Sequence, residues 1–155
     1  MEINYSKEIN KKIDLINSIF DELSVPHLLE NPDFSVYYMS SETWLSVSLE
    51  HKKDNRIPLW ITITKNTIEI RLDRISEAIT LSDNFLKTSP ANARLKLINV
   101  FTSYILVEYY GSFRTQMRLF NPEGECTNIF NYYQGISFWG KRKSKLYSPI
   151  YSLIE

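Results

Sequence analysis

Few side chains in this sequence could carry out metal, nucleophilic or acid–base chemistry. The two histidines, His27 and His51, have no Cys, His or carboxylate neighbours at the spacing of metal ligands. The single cysteine, Cys126, has Glu123 and Glu125 nearby, whose charges disfavour the thiolate that a nucleophile requires. Cys126 fits better as a small, buried thiol at the start of a strand.

The carboxylate pair of Glu123 and Glu125 lies beside a predicted turn, a position that is typical of hydrated surface charge. Hydrolytic carboxylates instead face each other across a cleft. The sequence also lacks a glycine-rich phosphate loop, a Ser elbow between glycines and a His-Glu zinc motif. These residues predict a protein that is not an enzyme and that uses no metal or cofactor.

A second pattern combines cations with aromatic rings near the C-terminus. The cations are Lys141, Arg142, Lys143 and Lys145, and the rings are Phe138, Trp139, Tyr147 and Tyr151. Sites for nucleic acids and for acidic proteins both use such combinations of charge and stacking surface. A short charged turn between two strands has the same composition. The net charge of zero favours the turn over a nucleic-acid site.

Aromatic side chains on the polar faces of predicted strands form a third pattern. Trp44 alternates in phase with serines and Trp60 with threonines, and the adjacent pair Tyr132 and Tyr133 must point to opposite faces of a strand. Exposed Trp and Tyr are common interface anchors because they bury a large area and keep one polar group. The alternative is that another element covers these rings. The candidate partner-binding residues are Trp44, Trp60, Tyr132, Tyr133, Trp139, Lys141, Arg142 and Lys143.

Length and composition limit what kind of protein can carry these residues. The chain has 155 residues, of which 43% are hydrophobic, enough for one ordinary core, so we expect a single domain over residues 1–155. One cysteine, no signal segment and only short apolar runs predict a soluble cytoplasmic protein. Ile, Asn, Lys and Tyr are abundant whereas Gly (4) and Pro (6) are few, a bias typical of A- and T-rich bacterial or phage genes.

The clearest element is a helix near the N-terminus. Apolar residues recur at steps of three and four over Ile9, Ile13, Ile16, Phe20 and Leu23, which predicts an amphipathic helix with one buried face. Ser6 suits its N-cap, and Pro26 ends it shortly after Leu23.

From residue 34 to residue 73 the period changes to two, which predicts strands. Residues 45–49, 57–63 and 68–72 each place apolar side chains on one face, and residues 34–39 are expected to form a fourth strand. Lys65 and Asn66 suit a tight hairpin turn, so an antiparallel meander follows.

The remaining residues are less regular. Residues 75–87 are more typical of a helix, with either a boundary at Ser89-Pro90 or a short helix that begins at Pro90. A strand is predicted from Tyr104, and residues 114–120 and 126–133 flank Asn121-Pro122-Glu123-Gly124 as a hairpin. Residues 136–151 are expected to be a strand or an extended tail. The predicted fold class is α+β. One mainly antiparallel sheet of about six or seven strands carries the N-terminal helix and one further helix.

The general plan of one N-terminal helix, a four-strand meander and an aromatic stretch at residues 128–133 (NIFNYY) resembles a known group of proteins. These are the immunity proteins of bacterial contact-dependent growth inhibition and related polymorphic toxin systems. The resemblance assigns no individual residues. It implies a non-enzymatic protein that neutralises a cognate toxin domain, often a nuclease, by covering its active site or substrate surface. Acidic residues of the N-terminal half would meet a basic toxin, whereas the net charge of zero points to an acidic toxin or to hydrophobic anchors.

Two other functions fit the same residues. A secretion-chaperone-like protein that dimerises and holds an effector peptide has a similar order of elements, although a C-terminal helix and acidic charge are missing. A nucleic-acid or small-ligand module would use Trp139, Lys141, Arg142 and Lys143, and its binding would be sensitive to salt.

Overall fold

The structure, a computed structural model, describes residues 4–37, 43–49, 55–73, 79–111, 114–133 and 142–152. Within these ranges the chain forms three helices and nine strands, which confirms the α+β class and the helix at the N-terminus. The helices are α1 (Lys7–Glu22), α2 (Asp83–Thr88) and α3 (Pro90–Thr102). The strands are β1 (Phe34–Tyr37), β2 (Trp44–Leu49), β3 (Leu59–Thr64), β4 (Thr67–Leu72), β5 (Ile79–Ser82), β6 (Tyr104–Tyr110), β7 (Arg114–Phe120), β8 (Cys126–Tyr133) and β9 (Arg142–Tyr147).

Helix α1 forms where the apolar period predicts it. The Ser6 hydroxyl accepts a hydrogen bond from the backbone N–H of Ile9, which satisfies one of the free donors of the first turn. All five residues of the predicted stripe are buried. Lys12 is also buried, a feature that the period alone does not predict.

The first sheet is antiparallel throughout, in the order β1-β2-β3-β4-β5. Its inner face consists of aliphatic side chains at alternate positions, such as Val47, Ile61 and Ile70, which stand side by side in the register. The four-strand meander predicted from residue 34 is confirmed as β1 to β4 over the described residues; Tyr38 and Met39 lie outside them. Strand β5 adds a fifth member.

Residues 79–102 differ from the sequence-based expectation. Residues 79–82 form strand β5, because Ile79 and Leu81 alternate inward opposite Ile70 and Ile68 of β4. The helical part of the predicted segment is confined to α2, which Ser82 caps. Of the two alternatives at Ser89-Pro90, the helix that begins at Pro90 is confirmed, and it is 13 residues long.

The second sheet has the order β8-β7-β6-β9 and is also antiparallel. The β7–β8 hairpin is confirmed: Gly124 has a φ of +86°, and its N–H donates to the Asn121 carbonyl. The expectation of one sheet of about six or seven strands is wrong. Strand β6 pairs with β7 on one side and β9 on the other, which leaves no edge at β6 for the first sheet.

One buried cluster nevertheless joins residues from both sheets and from helices α1 and α3. At its centre the ring of Phe20 lies 5.1 Å from that of Phe101 and 5.6 Å from that of Tyr151. The Tyr109 hydroxyl, on β6, donates to the Asp73 carboxylate at the end of β4, at 2.5 Å. No helix in the described parts of the chain is long and apolar enough to cross a membrane.

Candidate partner-binding face

The residues that could do chemistry are dispersed in the structure. His27 lies after α1 and shares a hydrogen bond of 2.9 Å with the Asp21 carboxylate, whereas His51 lies outside the described residues. Among the residues that the structure describes, no three or more His, Cys, Asp or Glu side chains are grouped to hold a metal ion. Cys126 begins β8 as predicted, but the expectation that it is buried is wrong. It lies on an edge strand beside the hairpin turn, opposite Phe120.

Trp44 and Trp60 lie on the outer face of the first sheet, as their phase predicts. Trp44 pairs with Thr64 and Trp60 with Ser48, so the two rings are four residues, or about 13 Å, apart along the strands. Both side chains are half-buried. The neighbouring Ser48 is fully buried, and its hydroxyl has no hydrogen-bond partner among the described residues.

The sheet pairing divides the other candidates between two faces. Tyr132 points inward and packs against the core, whereas Tyr133 points outward and is 60% exposed. Arg142 and Lys143 are successive residues of β9, so they also lie on opposite faces. The interpretation of this basic segment as a turn is wrong from Arg142 onward, where it is a strand. Trp139 and Lys141 lie outside the described residues.

The outer face of the second sheet gathers a set of arginines and tyrosines. Alternation along the strands and the observed register place Tyr110 of β6 opposite both Arg114 of β7 and Arg142 of β9. Arg114 in turn pairs with Tyr133 of β8. We call this surface the arginine–tyrosine face; it consists of Glu108, Tyr110, Arg114, Arg118, Tyr133 and Arg142.

Arg114 is held between two aromatic rings. Its guanidinium carbon lies 4.8 Å from the ring centre of Tyr110 and 5.3 Å from that of Tyr133, both within cation–π range. The Nε atom is buried and makes no hydrogen bond with any residue that the structure describes. No carboxylate among the described residues forms an ion pair with Arg114. The rings therefore hold the cation in place without neutralising it.

Glu108, in the centre of the face, is only 1% exposed. One carboxylate oxygen contacts Nη2 of Arg142, and the other lies 3.4 Å from Nη2 of Arg118. Gln116 further orients Arg118, because its side-chain oxygen accepts from Arg118 Nη2 at 2.7 Å and from Nε at 3.1 Å. The Gln116 amide donates to Asn131 on β8 at 2.9 Å. This network fixes two arginines across all four strands.

Exposed aliphatic side chains border the arginine–tyrosine face. Ile129 on β8, beside Arg118, is 55% exposed, and Leu146 on β9 is 54% exposed. No lysine lies on this face of the four described strands, because Lys143 and Lys145 of β9 point to the other side. Arginine and tyrosine with few lysines is the composition of protein–protein interfaces.

Sequence reasoning identified Tyr133 and Arg142 of this face but missed Glu108, Tyr110, Arg114 and Arg118. A usable signal was present in β7, where Arg114, Gln116 and Arg118 alternate with the buried Thr115, Met117 and Leu119. That alternation places two arginines on one outward face. The order of strands, which brings Arg142 and Tyr133 beside them, is not visible in the sequence.

A groove of about 220 Å³ lies between α1 and α2, and charged side chains that include Lys12, Asp83 and Lys87 line it. The buried Lys12 ammonium donates to the Lys65 carbonyl at 2.8 Å and to Asp83 at 3.2 Å. Hydrogen bonds from Lys87 and then Lys12 lower the pKa of Asp83. Because these groups satisfy one another, the groove is a structural contact between α1, α2 and the β3–β4 turn.

Comparisons with protein-family models, with curated proteins and with solved structures found no match to this chain.

Proposed function

We propose that this chain is a non-enzymatic binding protein that recognises another protein through the arginine–tyrosine face. The observation that supports it most directly is Arg114, held between Tyr110 and Tyr133 on the outer face of the second sheet. Tyrosine and arginine, with tryptophan, are enriched at the energetically important positions of protein interfaces. A side chain already fixed in the free protein loses little conformational entropy on binding.

Within this proposal, the partner is a bacterial toxin domain and the chain is its immunity protein, in the cytoplasm of the bacterium. The support is the similarity in general plan to the immunity proteins of polymorphic toxin systems and the composition bias of the sequence. A rigid sheet face with exposed anchors is suited to covering an active site or a substrate surface. An inhibitor that blocks the active site of a toxin by binding over it needs no catalytic group of its own.

The test is affinity purification of the tagged chain from a lysate of its source bacterium, with three variants in parallel. Arg114→Gln removes the cation of the face. Lys143→Gln makes the same change on the opposite face of the sheet, and Trp60→Ser alters the outer face of the first sheet. We expect a stoichiometric protein that the wild type, Lys143→Gln and Trp60→Ser retain and that Arg114→Gln loses.

A growth assay then examines the immunity role. The captured protein, expressed alone in a bacterial host, should arrest growth, and co-expression of the wild-type chain but not of Arg114→Gln should restore it. If Trp60→Ser is the only variant that loses the partner, the binding site lies on the first sheet and not on the arginine–tyrosine face. Recovery of nucleic acid in place of a protein would overturn the proposal.

A further inference from the structure

We infer that the partner presents an acidic surface to the arginine–tyrosine face, with one of its carboxylates bound by Arg114. This inference rests on the proposed function, since it specifies the chemistry of the partner that binds there. It assigns different tasks to the three arginines: Arg114 receives the partner carboxylate, whereas Arg118 and Arg142 are held in position beside it.

The charges on the face support this assignment. Of the three guanidinium groups on the face, those of Arg118 and Arg142 contact the carboxylate of Glu108. Arg114 has no ion-pair partner among the described residues, its Nε atom is buried, and its guanidinium lies within cation–π range of two tyrosine rings. A partly desolvated, unpaired cation is stabilised most by an anion that forms charge-assisted hydrogen bonds with it.

The geometry is also that of a carboxylate receptor. A guanidinium presents parallel N–H donors in a plane, and a carboxylate matches two of them at once. The rings of Tyr110 and Tyr133 hold the Arg114 plane before any partner arrives. Because Glu108 is buried and already engaged by two arginines, it restrains them without presenting a repulsive charge to an incoming acid.

The surroundings favour an acidic protein over a nucleic acid. The aliphatic side chains Ile129 and Leu146 border the face, and they match apolar protein side chains better than a phosphate backbone. The lysines of β9 point to the other side of the sheet. The net charge of zero also supplies no long-range attraction for nucleic acid.

The experiment uses the full chain and two probes, poly-L-glutamate and single-stranded oligodeoxythymidylate, with binding measured by fluorescence anisotropy at low salt. We expect poly-L-glutamate to bind, with a Kd that rises about tenfold in Arg114→Gln and changes less than about twofold in Lys143→Gln. Tyr133→Ala keeps the charge but removes one ring, and it should also weaken binding. Circular dichroism and thermal unfolding verify that each variant is folded.

Three results would overturn the inference. The first is that poly-L-glutamate does not bind. The second is that Arg114→Gln and Lys143→Gln weaken poly-L-glutamate binding equally. The third is that the oligonucleotide binds more tightly than poly-L-glutamate. Failure of this inference and failure of the proposed function give different results. If the captured protein still depends on Arg114 but poly-L-glutamate neither binds nor displaces it, the partner is not acidic and the face remains a binding site. If poly-L-glutamate binds through Arg114 but no protein partner is captured, the protein-binding function fails instead.

Discussion

Tyr151 is a buried side chain near the C-terminus that ties the last described residues to the core. Its ring packs against those of Phe20 and Phe101, and its hydroxyl accepts a hydrogen bond of 2.8 Å from the Asn31 amide. Burial raises the pKa of Tyr151 to about 12. An unfolded tyrosine has a pKa of about 10, so the folded state holds this proton more firmly.

This difference predicts how stability depends on pH at the alkaline end. Below pH 10 the proton is bound in both states, and the stabilisation is fully present. Between pH 10 and about 12 the unfolded chain loses the proton first, so the free energy of unfolding falls. In Tyr151→Phe this part of the fall is absent, and at neutral pH the lost hydrogen bond costs about 1 kcal/mol. Urea unfolding at a series of pH values measures both effects.

The control for this measurement is Tyr133→Phe, since Tyr133 is exposed. A plot of the free energy of unfolding against pH should run parallel for Tyr133→Phe and the wild type. Burial and donation to Asp73 also raise the pKa of Tyr109, so the wild-type curve contains more than one tyrosine and the difference between variants is the informative quantity. Parallel curves for Tyr151→Phe and the wild type would contradict the prediction.

At the scale of single elements, the β3–β4 hairpin turns without glycine. The Thr64 hydroxyl accepts hydrogen bonds from the backbone N–H groups of Asn66 and Thr67, both at 3.1 Å. Neither Lys65 nor Asn66 has a positive φ. The threonine therefore supplies the acceptor that stabilises this turn, in the manner of a side-chain turn motif.

Replacement of Thr64 by Val should remove that acceptor and keep the shape and strand preference of the side chain. We expect the free energy of unfolding to fall by about 1 kcal/mol. Thr62→Val is the matched control, because Thr62 lies on the same face of β3 and is also half-buried. It should change stability by less than about 0.5 kcal/mol. Equal losses in chemical denaturation would show that the hydroxyl of Thr64 has no special role.

Elements with a regular period were predictable from the sequence, and those decided by tertiary pairing were not. The stripe from Ile9 to Leu23 and the alternation in β2, β3 and β4 each reflect one buried face, so local pattern and structure agree. Strand β5 is only four residues long, and its conformation comes from pairing with β4. Such a segment carries too few alternations to distinguish a strand from the first turn of a helix.

The candidate site was harder to predict than the elements for a related reason. Tyr133 and Arg142 were identified by residue type, but they belong to strands β8 and β9 at opposite edges of the sheet. Their common neighbours Tyr110 and Arg114 lie on the two strands between them. A face of this kind depends on strand order, which no local period encodes.

At the scale of the whole molecule, described residues of both sheets belong to one buried cluster. Phe101 of α3 lies in that cluster, with its ring 5.1 Å from Phe20, and its carbonyl accepts a hydrogen bond from the Tyr151 N–H at 2.9 Å. Tyr151 follows β9 of the second sheet, whereas Phe20 belongs to α1, which packs on β3 of the first. Helix α3 thus couples the two sheets through the ring and the backbone carbonyl of Phe101.

This coupling predicts that both sheets unfold in one transition. Hydrogen exchange of amides in β3 and β7, followed across a urea series, should give the same free energy for the two sheets. Phe101→Ala should lower both values together by about 3 to 5 kcal/mol, and Phe101→Leu by less if the alanine variant does not fold. Leu95→Ala, at an exposed position of the same helix, should leave both free energies unchanged.

Loss of hydrogen-exchange protection in β7 alone would mean that the second sheet is a separate folding unit, contrary to the single-domain expectation. The partner-binding proposals would then have to be tested on that unit by itself.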